Sequence, residues 1–319
     1  MIIALLLIVG LVLLYFGAEW LVKGAVAIAQ RLGIGPLVIG LTIVAFGTSL
    51  PELTVSIQAA LAGSGDIAAA NVVGSNIFNI AMILGLAAVV CPIRITANLV
   101  RVDIPIMIAV SLLAIGLLAD RHLSRREGGL LMAGIVGYLL LSYYLAYKKP
   151  DAALIQETED IHSQQNTAVA QGNLWLSIGS IVLGLLLLVI GSKALVSGAV
   201  RLAQFFGLSE AVIGLTIVSA GTSLPELATS VVAAYRRQPD IALGNVIGSN
   251  IFNLLAILGV SSTLVPYAAP GIGSVDLAVM LAVAVISLPM MWSRFTLSRL
   301  EGIILLICYG LYMAYLLLK

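Results

Sequence analysis

The sequence predicts an all-α integral membrane protein with ten transmembrane helices, arranged as two inverted-topology five-helix repeats. Three observations lead there. The 319 residues are 61% hydrophobic and only 10% charged, with a mean hydropathy of +1.13, more apolar surface than a water-soluble domain can cover. The apolar runs are about as long as a helical span, roughly 20 residues, and the chain has room for about ten of them. The second half repeats the first at an offset of 174 residues, as from Gly47 to Gly221, and an odd number of spans per copy forces the copies into opposite orientations.

Apolar runs divided by charge or by Pro and Gly place the spans at about 2–30, 36–61, 67–90, 100–119, 128–147, 174–202, 210–235, 241–264, 275–292 and 301–318. The first run, Ile2–Phe16, has no basic segment before it and no small-residue cleavage site after it, so a retained first span is expected. Residues 1–147 form the first repeat, 148–173 a polar linker and 174–319 the second repeat. The linker carries Asp151, Glu157, Glu159 and Asp160 and reads as a flexible solvated tether, too short for a regulatory domain.

The repeat needs no gaps over its best-matched part. Val38–Val44 matches Val212–Val218, Gly47–Leu53 matches Gly221–Leu227, and Gly74–Asn79 matches Gly248–Asn253. About thirty of the fifty positions from Pro36 to Gly85 equal their counterparts. Leu123–Gly128 also finds Leu297–Gly302, and the Ser124/Glu127 and Ser298/Glu301 pairs predict helix caps before spans five and ten.

Two heptapeptides, GTSLPEL at Gly47–Leu53 and Gly221–Leu227, carry the chemistry. Each sets a carboxylate, Glu52 or Glu226, directly after a proline inside an apolar run. An acid costs several kcal/mol at membrane depth, and helix packing does not require one. Pro51 has no N–H, so the helical bond to the Gly47 carbonyl is lost and local carbonyls are freed. Thr48 and Ser49 lie four and three residues before Glu52 and are expected on its face, as are Thr222 and Ser223 for Glu226. Ser75 with Asn79, and Ser249 with Asn253, share faces of spans three and eight. Asn76 and Asn250 are expected to point elsewhere and tie backbone together. Taken singly, such small polar residues also serve as helix-packing contacts. Together they offer hard oxygen donors, suited to Na⁺, Ca²⁺ or Mg²⁺ and unsuited to soft metals.

The remaining polar residues are read more plainly. Glu19 and Lys23 are four apart and can pair on span one, with Lys193 at the position equivalent to Glu19; snorkelling or interfacial pairing explains them. Asp103 and Asp276 mark span starts, and His122 and His162 fall in loops. Cys91 and Cys308 form no metal or disulfide pattern and read as small core or lipid-facing residues. A net charge of +1 gives no polyanion signal, so nucleic acid is excluded as a partner. The partners expected are Ca²⁺, Na⁺ and the lipid bilayer, with no obligatory protein partner and no resident cofactor.

The paired GTSLPE and GSNIFN motifs resemble the alpha repeats of the sodium/calcium exchanger family, within the cation/calcium exchanger superfamily. The likeness to its prokaryotic members covers nearly the whole chain. The Gly-Thr-Ser before each glutamate is similar to the sodium-coupled branch, where the proton-coupled branch typically has Gly-Asn-Ala. The resemblance implies a ten-helix fold with four cation sites between helices two, three, seven and eight. It implies calcium ligands at Glu52, Glu226 and the carbonyls of Thr48 and Thr222. Sodium ligands would add Ser49, Ser223, Ser75, Ser249 and the carbonyls of Ala45 and Ser219, with Asn79 and Asn253 as a fourth polar pair. Several members, including the potassium-dependent branch, have an aspartate where this chain has Asn253. Helices one and six are implied to slide against the rest, and Gly17, Gly24, Gly191 and Gly198 fit such a contact.

The reading is therefore a secondary-active antiporter, not an enzyme, exchanging Ca²⁺ for Na⁺ by alternating access. Two ionised glutamates carry −2, which one Ca²⁺, two Na⁺ or two protons neutralise, so binding is competitive; three Na⁺ would make transport electrogenic. Exchange of Ca²⁺ for H⁺ is the alternative. A cation channel usually needs a pore made by symmetric oligomers. An intramembrane serine protease would need a base near Ser49 or Ser223, and no histidine lies in a span. With the amino terminus outside, Arg31, Arg94, Arg101, Lys148, Lys149, Arg236, Arg237, Arg294 and Arg299 fall inside; Arg121, Arg125, Arg126, Arg201 and Lys319 fall outside. That balance predicts both termini outside and a cytoplasmic linker, in a prokaryotic cytoplasmic membrane.

Overall fold

The structure is a computed structural model that describes residues 2–148, 173–207 and 219–318. Most of the predicted linker and the start of the predicted seventh span, with the Val212–Val218 match, lie outside the described residues.

Long apolar runs with few breakers become long helices. Helix α1 spans Ile2–Leu32 and α7 spans Leu174–Phe205. Between them come α2 (Pro36–Thr48), α3 (Leu50–Leu61), α4 (Gly65–Val90), α5 (Leu99–Leu117) and α6 (Arg125–Lys148). After α7 follow a helical turn, α8 (Ser219–Gly221), then α9 (Leu224–Tyr235), α10 (Pro239–Leu264), α11 (Ser274–Trp292) and α12 (Arg299–Leu318). Eight helices are long and apolar enough to cross a membrane, and the pair α2 and α3, bent by 44°, makes a ninth candidate among the described residues. The expected single second span is thus two pieces. The chain breaks at Ser49 (φ −82°, ψ 4°), because Pro51 cannot donate back across the junction and opens a new helix instead.

The layering follows polarity. Of the most apolar stretches, 94% of that in α10 and 78% of that in α4 are buried, against 11% in α12 and 22% in α6 and α7. The helices that carry the paired asparagines therefore form the centre, and helices of aliphatic and tyrosine side chains face outward. Where lipid is the solvent, this inverts the arrangement of a water-soluble protein.

Two short strand pairs clamp the ends. Strand β1 (Ile93–Arg94) pairs antiparallel with β4 (Thr296–Leu297), and β2 (His122–Leu123) with β3 (Tyr267–Ala268). Adding 174 to β1 gives β3, and adding it to β2 gives β4, so the offset exchanges one clamp for the other. His122 is accordingly in a strand and not in a loop. The predicted caps form alike at α6 and α12: Glu127 Oε2 accepts from Ser124 N and Oγ at 2.7 Å each, and Glu301 Oε2 accepts from Ser298 in the same way at the same distances.

Helices α1 and α7 run antiparallel in close contact, and their glycines permit it. A Cβ on Gly17 would stand 2.9 Å from Gly184 O and Leu188 N, and one on Gly184 would stand 2.7 Å from Gly17 O. By contrast, a Cβ on Gly179, on the exposed face of α7, would meet nothing within 4 Å. Gly17→Val should therefore force the pair apart at a cost of about 1–3 kcal/mol, lowering the thermal midpoint in detergent by roughly 3 °C or more. Gly179→Ala should leave that midpoint unchanged or raise it slightly, which differential scanning fluorimetry checks.

Candidate cation site

The site forms where the two broken spans meet the two buried ones. Glu52 opens α3 and Glu226 opens α9, each in the first turn after its proline. The equivalent break falls at Ser223 (φ −89°, ψ 9°). Both carboxylates are 1% exposed.

Each heptapeptide was expected to supply the hydroxyl for its own glutamate. The structure crosses them over. Ser49 Oγ donates to Glu226 Oε1 at 3.0 Å, and Ser223 Oγ donates to Glu52 Oε1 at 2.7 Å. The i to i+3 face rule assumes a continuous helix, and the break at Ser49 and Ser223 turns each hydroxyl toward the opposite half. Ser223 Oγ also lies 3.1 Å from Ser75 Oγ. Thr48 does not reach Glu52 either. Its hydroxyl lies 3.1 Å from Val44 O, 3.3 Å from Ala45 O and 3.0 Å from Asn245 Oδ1. Thr222 is half-buried in the turn before α9. Ser249 Oγ points to Ala45 O at 3.5 Å, which joins two of the expected donors. Ser219 begins the turn α8.

The asparagines of α4 and α10 form a second crossed set. Asn79 Nδ2 donates to Asn250 Oδ1 at 3.1 Å and Asn253 Nδ2 donates to Asn76 Oδ1 at 3.0 Å. Asn76 and Asn250 do reach backbone, each the other's carbonyl, at 3.4 and 3.5 Å. They do not point elsewhere, however, since their side-chain oxygens also orient Asn79 and Asn253. Asn79 and Asn253 sit in widened π-helical stretches, Phe78–Leu84 and Asn253–Ile257, a geometry frequent at functional sites.

Among the described residues six buried side-chain oxygens have no partner; beside the hydroxyls of Thr96 and Thr229 they are Glu52 Oε2, Glu226 Oε2, Asn79 Oδ1 and Asn253 Oδ1, the four on the carboxylates and asparagines of the site. An orphaned buried oxygen is costly, and an anionic one more so. These four come as two pairs related by the repeat offset, and they are the chemistry a hard cation requires: two negative charges and neutral carbonyl oxygens.

Sequence reasoning missed a supporting layer. Asn71 Nδ2 donates to Glu52 O and Ser56 Oγ at 3.2 and 3.0 Å, and Asn245 Nδ2 donates to Glu226 O and Ser230 Oγ at 3.2 and 2.9 Å. The signal was available, because Asn71 and Asn245, like Ser56 and Ser230, are identical at the repeat offset. Glu19 was also read too locally. It is 5% exposed and pairs with Arg236 as well as with Lys23. Asp103 and Asp276 do stand at span starts, where Tyr138 and Tyr312 donate to them at 3.2 and 3.0 Å.

The sequence profile of the sodium/calcium exchanger protein family matches this chain twice, over residues 2–144 and 176–318. The chain is 34% identical over 334 residues to the sodium/calcium exchanger MaX1 of Methanosarcina acetivorans, covering 96% of this chain and 95% of that protein. It is 38% identical over 296 residues to the inner membrane protein YrbG of Escherichia coli K12, covering 91% and 88%. The solved structure of the sodium-calcium exchanger NCX_Mj, soaked without Na⁺ and Ca²⁺, superposes with a TM-score of 0.83 at 30% identity, covering 99% of both chains.

The supporting layer makes its own prediction. Asn245→Ala would remove a fully buried amide that bonds the Glu226 carbonyl, Ser230 and Thr48, and a buried group left without its partner costs about 1–3 kcal/mol. Asn71 is only half-buried, so water can compensate in part. Asn245→Ala should therefore lower the thermal midpoint more than Asn71→Ala does, by unfolding in detergent.

Proposed function

The chain belongs to the sodium/calcium exchanger protein family, and on that premise we propose that it is a secondary-active antiporter carrying Ca²⁺ one way and Na⁺ the other through one central site. The observation that carries this reading is the set of four orphaned oxygens on Glu52, Glu226, Asn79 and Asn253. Glu52 and Glu226 would hold Ca²⁺ with the carbonyls of Thr48 and Thr222. Ser49, Ser223, Ser75, Ser249 and the carbonyls of Ala45 and Ser219 would complete sodium positions, and Asn79 and Asn253 would lend neutral oxygens.

Charge explains why the two loads compete. A site of −2 is neutralised by one Ca²⁺ or two Na⁺, and holding both would leave excess positive charge in a low-dielectric core. An empty site strands two carboxylates there, so crossing without cargo is disfavoured, and exchange becomes obligatory. An extra Na⁺ per cycle would make transport electrogenic.

The same reading assigns the topology. Ten spans in two inverted five-helix repeats, at 1–147 and 174–319 around the 148–173 linker, would let one site face either side in turn. The exchange of strand clamps and of crossed hydrogen bonds under the 174-residue offset supports it, as does the double match to the family profile. Both termini would lie outside a prokaryotic cytoplasmic membrane, with the linker inside, by the distribution of Lys and Arg.

In proteoliposomes loaded with Na⁺, radiolabelled Ca²⁺ should enter against an outside medium free of Na⁺. Glu52→Gln and Glu226→Gln should each reduce that uptake at least ~100-fold, since each removes half the site's charge and leaves the desolvated cation short of a carboxylate partner; near-normal uptake in either would remove the site assignment. Uptake driven by a proton gradient without Na⁺ would assign the coupling ion to H⁺ instead.

A further inference from the structure

One ion pair built on a buried carboxylate, with exposed cationic partners, lies outside the site and is not copied by the repeat. Glu19 is in the middle of α1, with a side chain only 6% exposed, and its two oxygens are engaged separately. Oε1 meets Lys23 Nζ at 2.9 Å, and Oε2 accepts from Arg236 Nε at 2.8 Å. Lys23 is on the same helix one turn away and travels with Glu19. Arg236 is the residue that caps α9, and its Nη2 also donates to Tyr15 OH on α1 at 3.3 Å. The two bonds from Arg236 thus cross from α9 to α1, while the Lys23 bond stays within α1.

Glu226 lies in the first turn of α9 and Arg236 caps its end, ten residues on or about 15 Å along the helix axis. The pair therefore fastens the far end of a helix whose near end holds half the site's charge. The repeat offset maps Glu19 to Lys193 and Arg236 to Ala62. Lys193 is exposed, and an alanine offers it no counter-charge. The site repeats its glutamates, serines and asparagines in both halves, and its serine–glutamate and asparagine bonds match across them; this attachment has no counterpart pair.

We propose that Glu19 and Arg236 form a one-sided latch that holds α1 to the end of α9 and sets the balance between the two access states. The proposal rests on the alternating-access reading above. Two states built from equivalent contacts in inverted halves would be close in free energy. An attachment present in one half only makes them unequal. Sliding α1 along α9 would leave Glu19 with Lys23 but break both bonds from Arg236, and a buried carboxylate that loses a partner is penalised. Glu19 and Arg236 are positioning residues in this account, since neither touches the cargo.

The test reads the helix position directly. In full-length protein with Cys91→Ser and Cys308→Ala, spin labels go on exposed Leu5→Cys of α1 and exposed Leu61→Cys at the end of α3. Double electron–electron resonance should give one dominant distance in this parent. Glu19→Gln and Arg236→Gln should each raise a second distance, shifting the population ratio about fivefold or more, the lower end of typical coupling between states. Arg236→Lys, which keeps the charge, and Lys23→Met, which cuts only the bond within α1, should keep the parent distribution. An unchanged distribution in both glutamine variants would overturn the latch, and so would an equal shift in Lys23→Met. Sodium-driven Ca²⁺ uptake by the unlabelled protein is measured alongside. Its absence would count against the exchanger reading alone, because the distances report the latch whether or not transport occurs.

Discussion

Two carboxylates buried at the centre of an apolar bundle, each with an oxygen that has no hydrogen-bond partner among the described residues, govern this structure. Charge at membrane depth is tolerated only when the surrounding backbone and side chains are arranged for it. The helix breaks at Ser49 and Ser223 place those hydroxyls against the glutamates. The asparagines Asn71 and Asn245 then give the glutamate carbonyls, in the first turn past each break, a bond from the neighbouring helix. Around this polar centre the outer helices are mainly apolar, and the two helices that carry the site asparagines are the two most buried. Cation chemistry and membrane packing thus demand the same layering.

Cross-pairing gives the centre its cohesion. Every hydroxyl-to-glutamate bond at the site runs from one half of the chain to the other, and so does every bond among Asn76, Asn79, Asn250 and Asn253. Neither half can build the site alone. A pair of symmetric donors also gives the centre no preferred side, because whatever one half offers the glutamate of the other is returned in kind. Under the exchanger reading, inequality between the two access states would come from residues that break the repeat, and Glu19 with Arg236 is such a pair.

Much of this was legible in the chain. The spans were readable because lipid solvent demands continuous apolar runs, and the observed ends differ from the expected ones by a few residues. Glu52 and Glu226 were readable because a repeated Pro-Glu in an apolar run has no cheap structural explanation. What could not be read was partnership. Ser49 and Glu52 are neighbours in sequence, yet the bond goes to Glu226, 177 residues away, because the helix break rotates the hydroxyl out of register. The widened turns at Asn79 and Asn253 carry no proline or glycine to announce them. Glu19 and Arg236 are 217 residues apart, and comparing the repeats hides them, since their equivalents are Lys193 and Ala62.

Cohesion at the centre also limits how such a protein can open. Rocking the four site-bearing segments against one another would break two hydroxyl–carboxylate bonds and the asparagine set together, stranding charge in a medium that cannot solvate it. The contact between α1 and α7 has a different character. Near its middle it is made of glycine backbone and Leu side chains, as at Gly17, Gly184, Leu21 and Leu188. Displacing such a surface along its length exchanges one apolar contact for another and strands no hydrogen bond there. Under the exchanger reading, opening at α1 and α7 would break few polar bonds, chiefly those from Arg236 to Glu19 and Tyr15, and would spare the crossed centre.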